Sequence, residues 1–390
     1  MSIKGKAYIV GIYEHPTRLA TDKTVPQLHA ECAKGALEDA GLTKNDIDGY
    51  FCAAGDTPGL GALSMIDYLG LKLRHVDSTD TGGSSYLLQV GHVAEAIAAG
   101  KCSVALITLA GRPRAEGMAT GTAPRMPGVP MPESGFELPY APATANMYAM
   151  CAMRHMYQYG TTSEQLAWVK VAASHHAQHN PHAMLRDVVT VEEVVNSPMI
   201  ADPLHRLDCC VISDGGGAMI MTTPEIAKSL KRPLVRVIGA GEAPKHQMGG
   251  KVDLTYSGGV WSGPAAFAEA GVKPADIKYA SIYDSFTITV VMQLEDLGFC
   301  EKGQGGRFVS DGNLISGVGK LPFNTDGGGL CNNHPSNRGG LTKVLEAVRQ
   351  LRGEAHPAVQ VKNCDLALAH GTGGSLGTRH NAATVIMERE

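Results

Sequence analysis

Ala40-Gly41-Leu42-Thr43-Lys44-Asn45-Asp46-Ile47-Asp48 and Ala270-Gly271-Val272-Lys273-Pro274-Ala275-Asp276-Ile277-Lys278 repeat one pattern in two distant parts of the chain. In each copy a helical stretch meets an Ala-Gly stop, an Asp-Ile turn follows, and a short apolar strand begins. The strand is Tyr50-Phe51-Cys52, entered through Gly49, in the first copy and Ser281-Ile282-Tyr283 in the second. A looser pair, Cys102-Ser103-Val104-Ala105-Leu106-Ile107 and Cys364-Asp365-Leu366-Ala367-Leu368-Ala369, reads in both places as a buried strand after a helix ending at Gly100 or Gly353. The pattern is that of an internally duplicated α/β unit, with an N-terminal half over residues 1–235 and a C-terminal half over 236–390.

Within the first half the texture changes from about residue 112 to 203. A Pro/Gly/Met-rich loop runs from Arg112 to about Pro142, and helical stretches follow at Tyr148 to Tyr159 and Ser163 to His179. An insertion held between sheet-forming segments is expected to cap a site, because binding residues concentrate on loops carried by a rigid scaffold.

Composition narrows the partners. The chain has 390 residues, 44% of them hydrophobic, with 47 glycines, 5% aromatic residues and a formal net charge of -4. A core of small, tightly packed elements fits these values. With no basic run, nucleic acid and anionic membrane surfaces are not expected as partners. The opening MSIKGKAYIVGIYEHP reads as a strand rather than a signal peptide, and no stretch approaches the ~20 apolar residues of a membrane span. The nine cysteines are scattered without C-x-x-C spacing. They read as free thiols in a reducing, cytoplasmic setting. His175, His176, His179 and His182 read as a solvated helix face rather than a metal site.

A more specific reading comes from motifs in order along the chain. They are Tyr157-Gln158-Tyr159-Gly160-Thr161-Thr162-Ser163-Glu164-Gln165-Leu166-Ala167, Asn180-Pro181, Ile200-Ala201-Asp202-Pro203-Leu204, and Leu207 through Gly215. In the second half they are Tyr283-Asp284-Ser285-Phe286, Leu297-Gly298-Phe299-Cys300, Gly303-Gln304-Gly305-Gly306, Asn324 through Leu330, and His334-Pro335. Over nearly the whole chain these resemble the thiolase superfamily, in its sterol-carrier-protein-type and lipid-transfer-protein-like subgroup, which includes steroid side-chain aldolases without the nucleophilic cysteine. The resemblance implies an α/β thiolase fold: duplicated βαβαβαββ halves stacked in five α-β-α-β-α layers, with an inserted loop domain.

Thiolases build their site from a nucleophilic Cys, an Asn or Asp-His motif, a Gly-His-Pro motif and a C-terminal Cys or His. Here Val76 to Ser85 aligns with the nucleophile turn, and Asp80 stands where the cysteine would be. A thiolate at a helix N-terminus is stabilised by the dipole and attacks readily, whereas a carboxylate is a poor nucleophile toward a thioester. Asp80 is therefore expected to cap the helix or accept hydrogen bonds. Ser84 and Ser85 are expected to do the same, a serine nucleophile being the alternative. Tyr283 takes the place of the motif histidine; it would donate to an oxyanion or act as a base, or else simply pack. His334 keeps the Gly-His-Pro histidine, with Asn333 in place of the glycine. His370, in Ala369-His370-Gly371-Thr372-Gly373-Gly374, falls at the C-terminal Cys or His. Gly328, Gly329, Gly373 and Gly374 are expected to let backbone N–H groups approach a coenzyme A or acyl oxygen.

Without the cysteine, covalent parking of an acyl group loses its nucleophile. Retro-aldol cleavage of a β-hydroxyacyl-CoA needs only a base for the hydroxyl and donors for the thioester oxygen, which Tyr283 and His334 would supply between them. The alternatives are an acetyl-CoA acetyltransferase-type reaction on another residue, such as Cys331, and a noncatalytic acyl-CoA or lipid-binding subunit. Coenzyme A is expected as part of the substrate, with no permanently bound cofactor and no metal. The expected partners are a second copy of the chain, through Val104 to Leu109 and the nearby Tyr86-Leu87-Leu88, and a small OB-fold protein.

Overall fold

The computed structural model describes residues 2–119, 138–140, 143–245, 252–335 and 339–390. The first half runs β1 (Tyr8–Glu14), α1 (Val25–Ala40), β2 (Gly49–Phe51), α2 (Ala62–Leu69), β3 (His75–Asp77), α3 (Ser85–Ala98) and β4 (Val104–Gly111). The insertion contributes α4 (Thr144–Tyr159), α5 (Ser163–Ala177) and a small ribbon of β5 (Met199–Ala201) with β6 (Leu204–His205). The chain then continues through β7 (Gly215–Thr222), β8 (Val235–Pro244), α6 (Gly259–Ala270), β9 (Tyr279–Ile282), α7 (Thr287–Asp296), α8 (Gly340–Arg352), β10 (Leu366–Gly374) and β11 (His380–Arg389).

The two Ala-Gly stops fold alike. Helix α1 ends at Gly41 with φ 72° and helix α6 at Gly271 with φ 73°, a left-handed conformation that glycine adopts without a Cβ clash. A single 3-10 turn follows each, at Lys44–Asp46 and Pro274–Asp276, and delivers the chain into β2 or β9. The strands start slightly earlier than the apolar runs suggest, so Tyr283 lies just past the end of β9.

Among the described residues nine strands form one sheet in the order β3-β2-β4-β7-β1-β8-β11-β10-β9. Among the described strands, those of the first half join those of the second by the short antiparallel contact of β1 with β8, Tyr8 opposite Arg236 and Ile9 opposite Val235. Three large apolar cores among the described residues stack the layers. Cys32, Ala36 and Met65 of α1 and α2 cover Tyr50 and Leu106 on one outer face. Leu87 and Val93 of α3 and Leu341 and Val344 of α8 form a central layer that touches strands of both halves, among them Ile107, Met219, Ala367 and Val385. Val169 of α5, Phe267 of α6 and Leu294 of α7 cover Ile282, Leu368 and Ile386 on the other outer face. The stack is α-β-α-β-α, the thiolase fold.

Two expectations are corrected here. Val104–Leu109 lies in β4, buried between β2 and β7, and Tyr86, Leu87 and Leu88 are buried in the central layer, so neither segment is free to face a partner. A continuous apolar run reads the same whether it awaits a partner or an internal strand. The stretch from His175 to His182 is not a uniformly solvated face either: His182 is exposed and His175 and His179 are half-buried, but His176 is not solvated. His176 is 1% exposed and its Nε2 accepts the Ser316 N–H at 2.9 Å, while His179 stacks on His356. Among the described residues no group of side chains could hold a metal ion, and no helix is long and apolar enough to cross a membrane.

Burial holds His29 and His176 near a pKa of about 4 and His370 and His380 near about 3. The unfolded chain therefore binds protons below the ordinary histidine value of 6.5 that the native state refuses, and stability falls as pH drops through that range. Glu346, raised to about 7 by burial and by Asp326, opposes this over part of the window. His92, raised to about 10 by its hydrogen bonds to Asp77 and Glu242, contributes stability that is lost as pH climbs above neutrality. The expected outcome is a maximum of thermal stability near neutral pH with a marked decline between pH 6.5 and 4. Calorimetric unfolding across pH 4 to 9 checks it, and a flat profile below about 6.5 would contradict the burial of these imidazoles.

Candidate active site

Four loops converge on a cavity of about 640 Å³. One wall is the turn before α3, with Asp80, Gly82 and Gly83; another is the tip of the β10–β11 hairpin, with Gly373 and Gly374; Tyr283 and His334 stand in the same cavity. From the insertion, Tyr148 on α4 closes a further side, its ring stacked on Phe286 at 4.4 Å. Residues 120–137 and 141–142, which hold much of the expected Pro/Gly/Met-rich loop, lie outside the described residues.

Tyr283 and His334 are hydrogen-bonded to one another, phenol oxygen to Nε2, at 2.8 Å. Their rings meet edge to face, 5.5 Å between centroids. Each half of this pair is held from behind. The Tyr283 N–H donates to the His370 carbonyl at 2.9 Å, and its own carbonyl accepts from Gln293 at 2.7 Å. The His334 N–H donates to Ser213 Oγ at 2.9 Å. Gly83 is required for the fit, since a Cβ there would stand 2.6 Å from the Tyr283 ring and 2.3 Å from the Thr372 carbonyl.

The two loops are joined through Asp284, the residue after Tyr283. Its carboxylate accepts the Gly329 N–H at 2.8 Å, the Leu330 N–H at 3.1 Å and the Lys343 ammonium at 2.8 Å. Lys343 is 2% exposed on α8. Burial alone would lower its pKa, but the carboxylates of Asp284 and Asp326 hold it above the ordinary lysine value. Gly328 donates to Asp326 at 2.9 Å. The N–H groups of Gly328 and Gly329 thus serve internal carboxylates, and these two glycines lie outside the cavity wall, whereas Gly373 and Gly374 line it.

Asp80 is exposed, and its carboxylate accepts the N–H of Gly55 at 2.9 Å and of Gly82 at 3.0 Å. That is the hydrogen-bond acceptor geometry of a turn cap. Ser85 Oγ donates to the Gly82 carbonyl and accepts from Thr81, and Ser84 Oγ lies between Thr81 and Asn381. Ser85 Oγ also lies 3.4 Å from the Asp80 carboxylate, longer than its 2.7 Å bond to the Gly82 carbonyl, and Ser84 has no base as its partner. Cys331 is buried outside the cavity wall, 3.1 Å from Lys170 Nζ. Cys209 and Cys210 do line the cavity, but burial pushes the Cys209 thiol up to about 12 and the Cys210 thiol higher still. No thiolate is ready at neutral pH among them.

His370 is not where its motif suggests. It lies inside β10, fully buried, with Nδ1 on Thr384 at 2.8 Å, and it does not line the cavity. The imidazole that reaches the wall from this hairpin is His380, the first residue of β11. Two contributors to the site, Lys343 and His380, carry no motif signature, and Ser213 lies within the motif Leu207 through Gly215 but has no role assigned to it there. His380 was open to detection as a histidine just beyond a glycine-rich hairpin.

Removing the partner of a buried charge leaves the other uncompensated, at a cost of about 3–5 kcal/mol. Lys343→Met is expected to destabilise the protein by that amount in urea unfolding, and a loss below about 1 kcal/mol would contradict the role given to the Asp284–Lys343 pair.

Comparison with known proteins agrees with this geometry. Residues 241–389 match the family described as thiolase C-terminal domain-like. The chain is 33% identical to the acetyl-CoA acetyltransferase of Methanothermobacter thermautotrophicus, covering 98% of this chain and 99% of that protein. It is also 33% identical to the steroid side-chain-cleaving aldolase of Thermomonospora curvata, over 90% of this chain and 91% of that one. Among solved structures, the Ltp2–ChsH2(DUF35) aldolase superposes with a TM-score of 0.89 at 31% identity, covering 99% of this chain and 98% of that one. Joined to the five-layer stack and the convergent loops, these likenesses decide the family: the chain belongs to the thiolase superfamily, in the subgroup of sterol-carrier-protein-type thiolases and side-chain-cleaving aldolases.

Proposed function

We propose that the protein cleaves β-hydroxyacyl-CoA thioesters by retro-aldol chemistry, forming no acyl-cysteine. The observation that carries this reading is the 2.8 Å bond between Tyr283 and His334 in a cavity whose nucleophile position holds Asp80. A phenol bonded to an imidazole nitrogen can accept a substrate hydroxyl proton while its own proton moves to Nε2. The bond between C2 and C3 then breaks, C3 leaves as the carbonyl of an aldehyde or ketone, and the electron pair passes into the thioester enolate. Return of the proton through Tyr283 to C2 releases the shortened acyl-CoA and restores both side chains. One proton enters the pair and one leaves it.

The similarity to aldolases supports cleavage, and the similarity to an acetyltransferase supports an acyl-CoA substrate. Coenzyme A enters as part of the substrate in this scheme, with no resident cofactor. We place the enzyme in the cytoplasm as a homodimer. Edge strand β3, which leads directly into the Asp80 turn and exposes Val76, supports pairing there. A small OB-fold partner protein is supported by the two-component description of the related aldolase structure.

Incubation with panels of β-hydroxyacyl-CoA and β-ketoacyl-CoA thioesters, with products identified by mass, tests the assignment. Cleavage of the hydroxy series is expected, and intact-protein mass spectrometry is expected to show no acyl adduct. Tyr283→Phe should lower turnover by about two to four orders of magnitude, the usual worth of a positioned acid or base, while coenzyme A binding persists. Full activity in Tyr283→Phe, or an acyl group on any cysteine, would return the assignment to acyl transfer or to a carrier.

A further inference from the structure

The β10–β11 register sets Thr372 opposite Ala382, Gly374 opposite His380, and His370 opposite Thr384. Side chains alternate across a strand, so His370, Thr372 and His380 lie on one face of the hairpin. His370 is the deeper of the two histidines and is tied to Thr384. Thr372 and His380 line the cavity instead, although they are only 1% and 3% exposed. Among the described residues neither Thr372 Oγ1 nor either ring nitrogen of His380 makes a hydrogen bond of good geometry, the imidazole having no more than a loose approach to the Gly373 backbone.

Such groups are costly to leave unmatched, about 1–3 kcal/mol for each buried donor or acceptor. An apolar pair would suit a wall that meets only hydrocarbon. The two side chains instead offer a hydroxyl that can donate or accept and an imidazole with one donor and one acceptor. Burial, reinforced by the nearby Lys245, holds the imidazole at a pKa of about 3, so the ring stays neutral and keeps both functions.

We propose that Thr372 and His380 bind an oxygen atom on the acyl portion of the acyl-CoA that occupies the cavity. The oxygen is either that of the thioester carbonyl or one placed farther along the acyl chain. Both sources present the same chemistry to the hairpin, and in the second case the pair selects oxygenated acyl groups over plain hydrocarbon ones. Buried polar groups that lose their partner discriminate strongly against a substrate lacking the matching atom. This inference rests on the acyl-CoA reading of the cavity but not on the cleavage step.

Titration calorimetry on the full-length protein with three coenzyme A derivatives tests it without turnover. Hexyl-CoA lacks the thioester oxygen, hexanoyl-CoA has it, and 5-oxohexanoyl-CoA adds a second oxygen. Thr372→Val, which is nearly isosteric, and His380→Ala are each expected to weaken binding about tenfold where the bound oxygen is present and not where it is absent. Loss with hexanoyl-CoA and 5-oxohexanoyl-CoA but not hexyl-CoA identifies the thioester oxygen. Loss confined to 5-oxohexanoyl-CoA identifies the distal one. His380→Gln, which keeps a donor and an acceptor, should recover part of the affinity. If His380→Ala does not fold, Thr372→Val together with the nitrogen chemical shifts of His380 in the wild type carries the test, since a direct hydrogen bond moves those shifts when the oxygenated ligand binds. Equal affinity ratios for all three ligands, with unmoved shifts, would overturn the proposal and leave water as the occupant. Binding of none of the three by the wild type would overturn the acyl-CoA reading itself, whereas binding without cleavage would refute only the lyase assignment.

Discussion

The Asp284 carboxylate is the knot on which the site depends. One residue earlier in the chain is Tyr283, and the carboxylate reaches across to two backbone amides at the start of the segment that carries His334. Lys343 of the central layer neutralises it from the third side at 2.8 Å. A buried ion pair of this kind adds little net stability by itself, but it is strongly directional, and a loop tied to it has few places to go. A second clamp works in parallel. Asn324, at φ 40°, accepts the Ile282 N–H and donates to the Ile282 carbonyl, both at 2.8 Å, closing the end of β9 as a strand neighbour would. Segment 209–213 is stitched between them: Cys210 donates to Ser285, Val211 to Gly329, and Ser213 Oγ accepts from His334. The phenol and the imidazole therefore meet because three independent pieces of chain are locked to one another behind them.

Chemistry follows from what these constraints leave in front. In the thiolase pattern the turn before α3 presents a thiolate. Here the same turn presents a carboxylate engaged with the amides of Gly55 and Gly82, and the cavity thiols are held protonated by burial. The place where a covalent bond would form is therefore occupied by a hydrogen-bond acceptor. The glycine seam beside it has a separate purpose. Gly82 and Gly83 pack against the backbone of Thr372, Gly373 and Gly374 so closely that a side chain on either would collide. That contact brings the hairpin tip, with Thr372 and His380, up to the same cavity as Tyr283. Loss of the nucleophile has left the scaffold of the site in place.

Much of this was legible in the residues. The Ala-Gly stops at Gly41 and Gly271 mark a backbone conformation that few other residues accept, so the duplicated helix-turn-strand units could be read directly. The ordered motifs located Asp80, Tyr283 and His334 in one cavity. Other features were hidden for physical reasons. In Gly340–Arg352, Lys343 reads as one more cation on a polar helix stripe, because its partner lies 59 positions away in sequence. His370 carries the motif spacing but lies within β10, and the turn between Gly374 and His380 passes the place on the cavity wall to a histidine that the family motifs do not mark. The apolar run in β4 resembled an interface because burial by a neighbouring strand and burial by a partner select the same side chains.

The central claim is that the bond between C2 and C3 breaks to an enolate that the Tyr283–His334 pair then protonates. Turnover of a 3-hydroxyacyl-CoA in deuterium oxide examines this directly, because the hydroxyl proton exchanges with solvent before it enters the pair. The account predicts a free aldehyde or ketone together with a shortened acyl-CoA that carries a single deuterium at C2. A shortened acyl-CoA without deuterium at C2, or release of the acyl fragment only when free coenzyme A is added as acceptor, would contradict it.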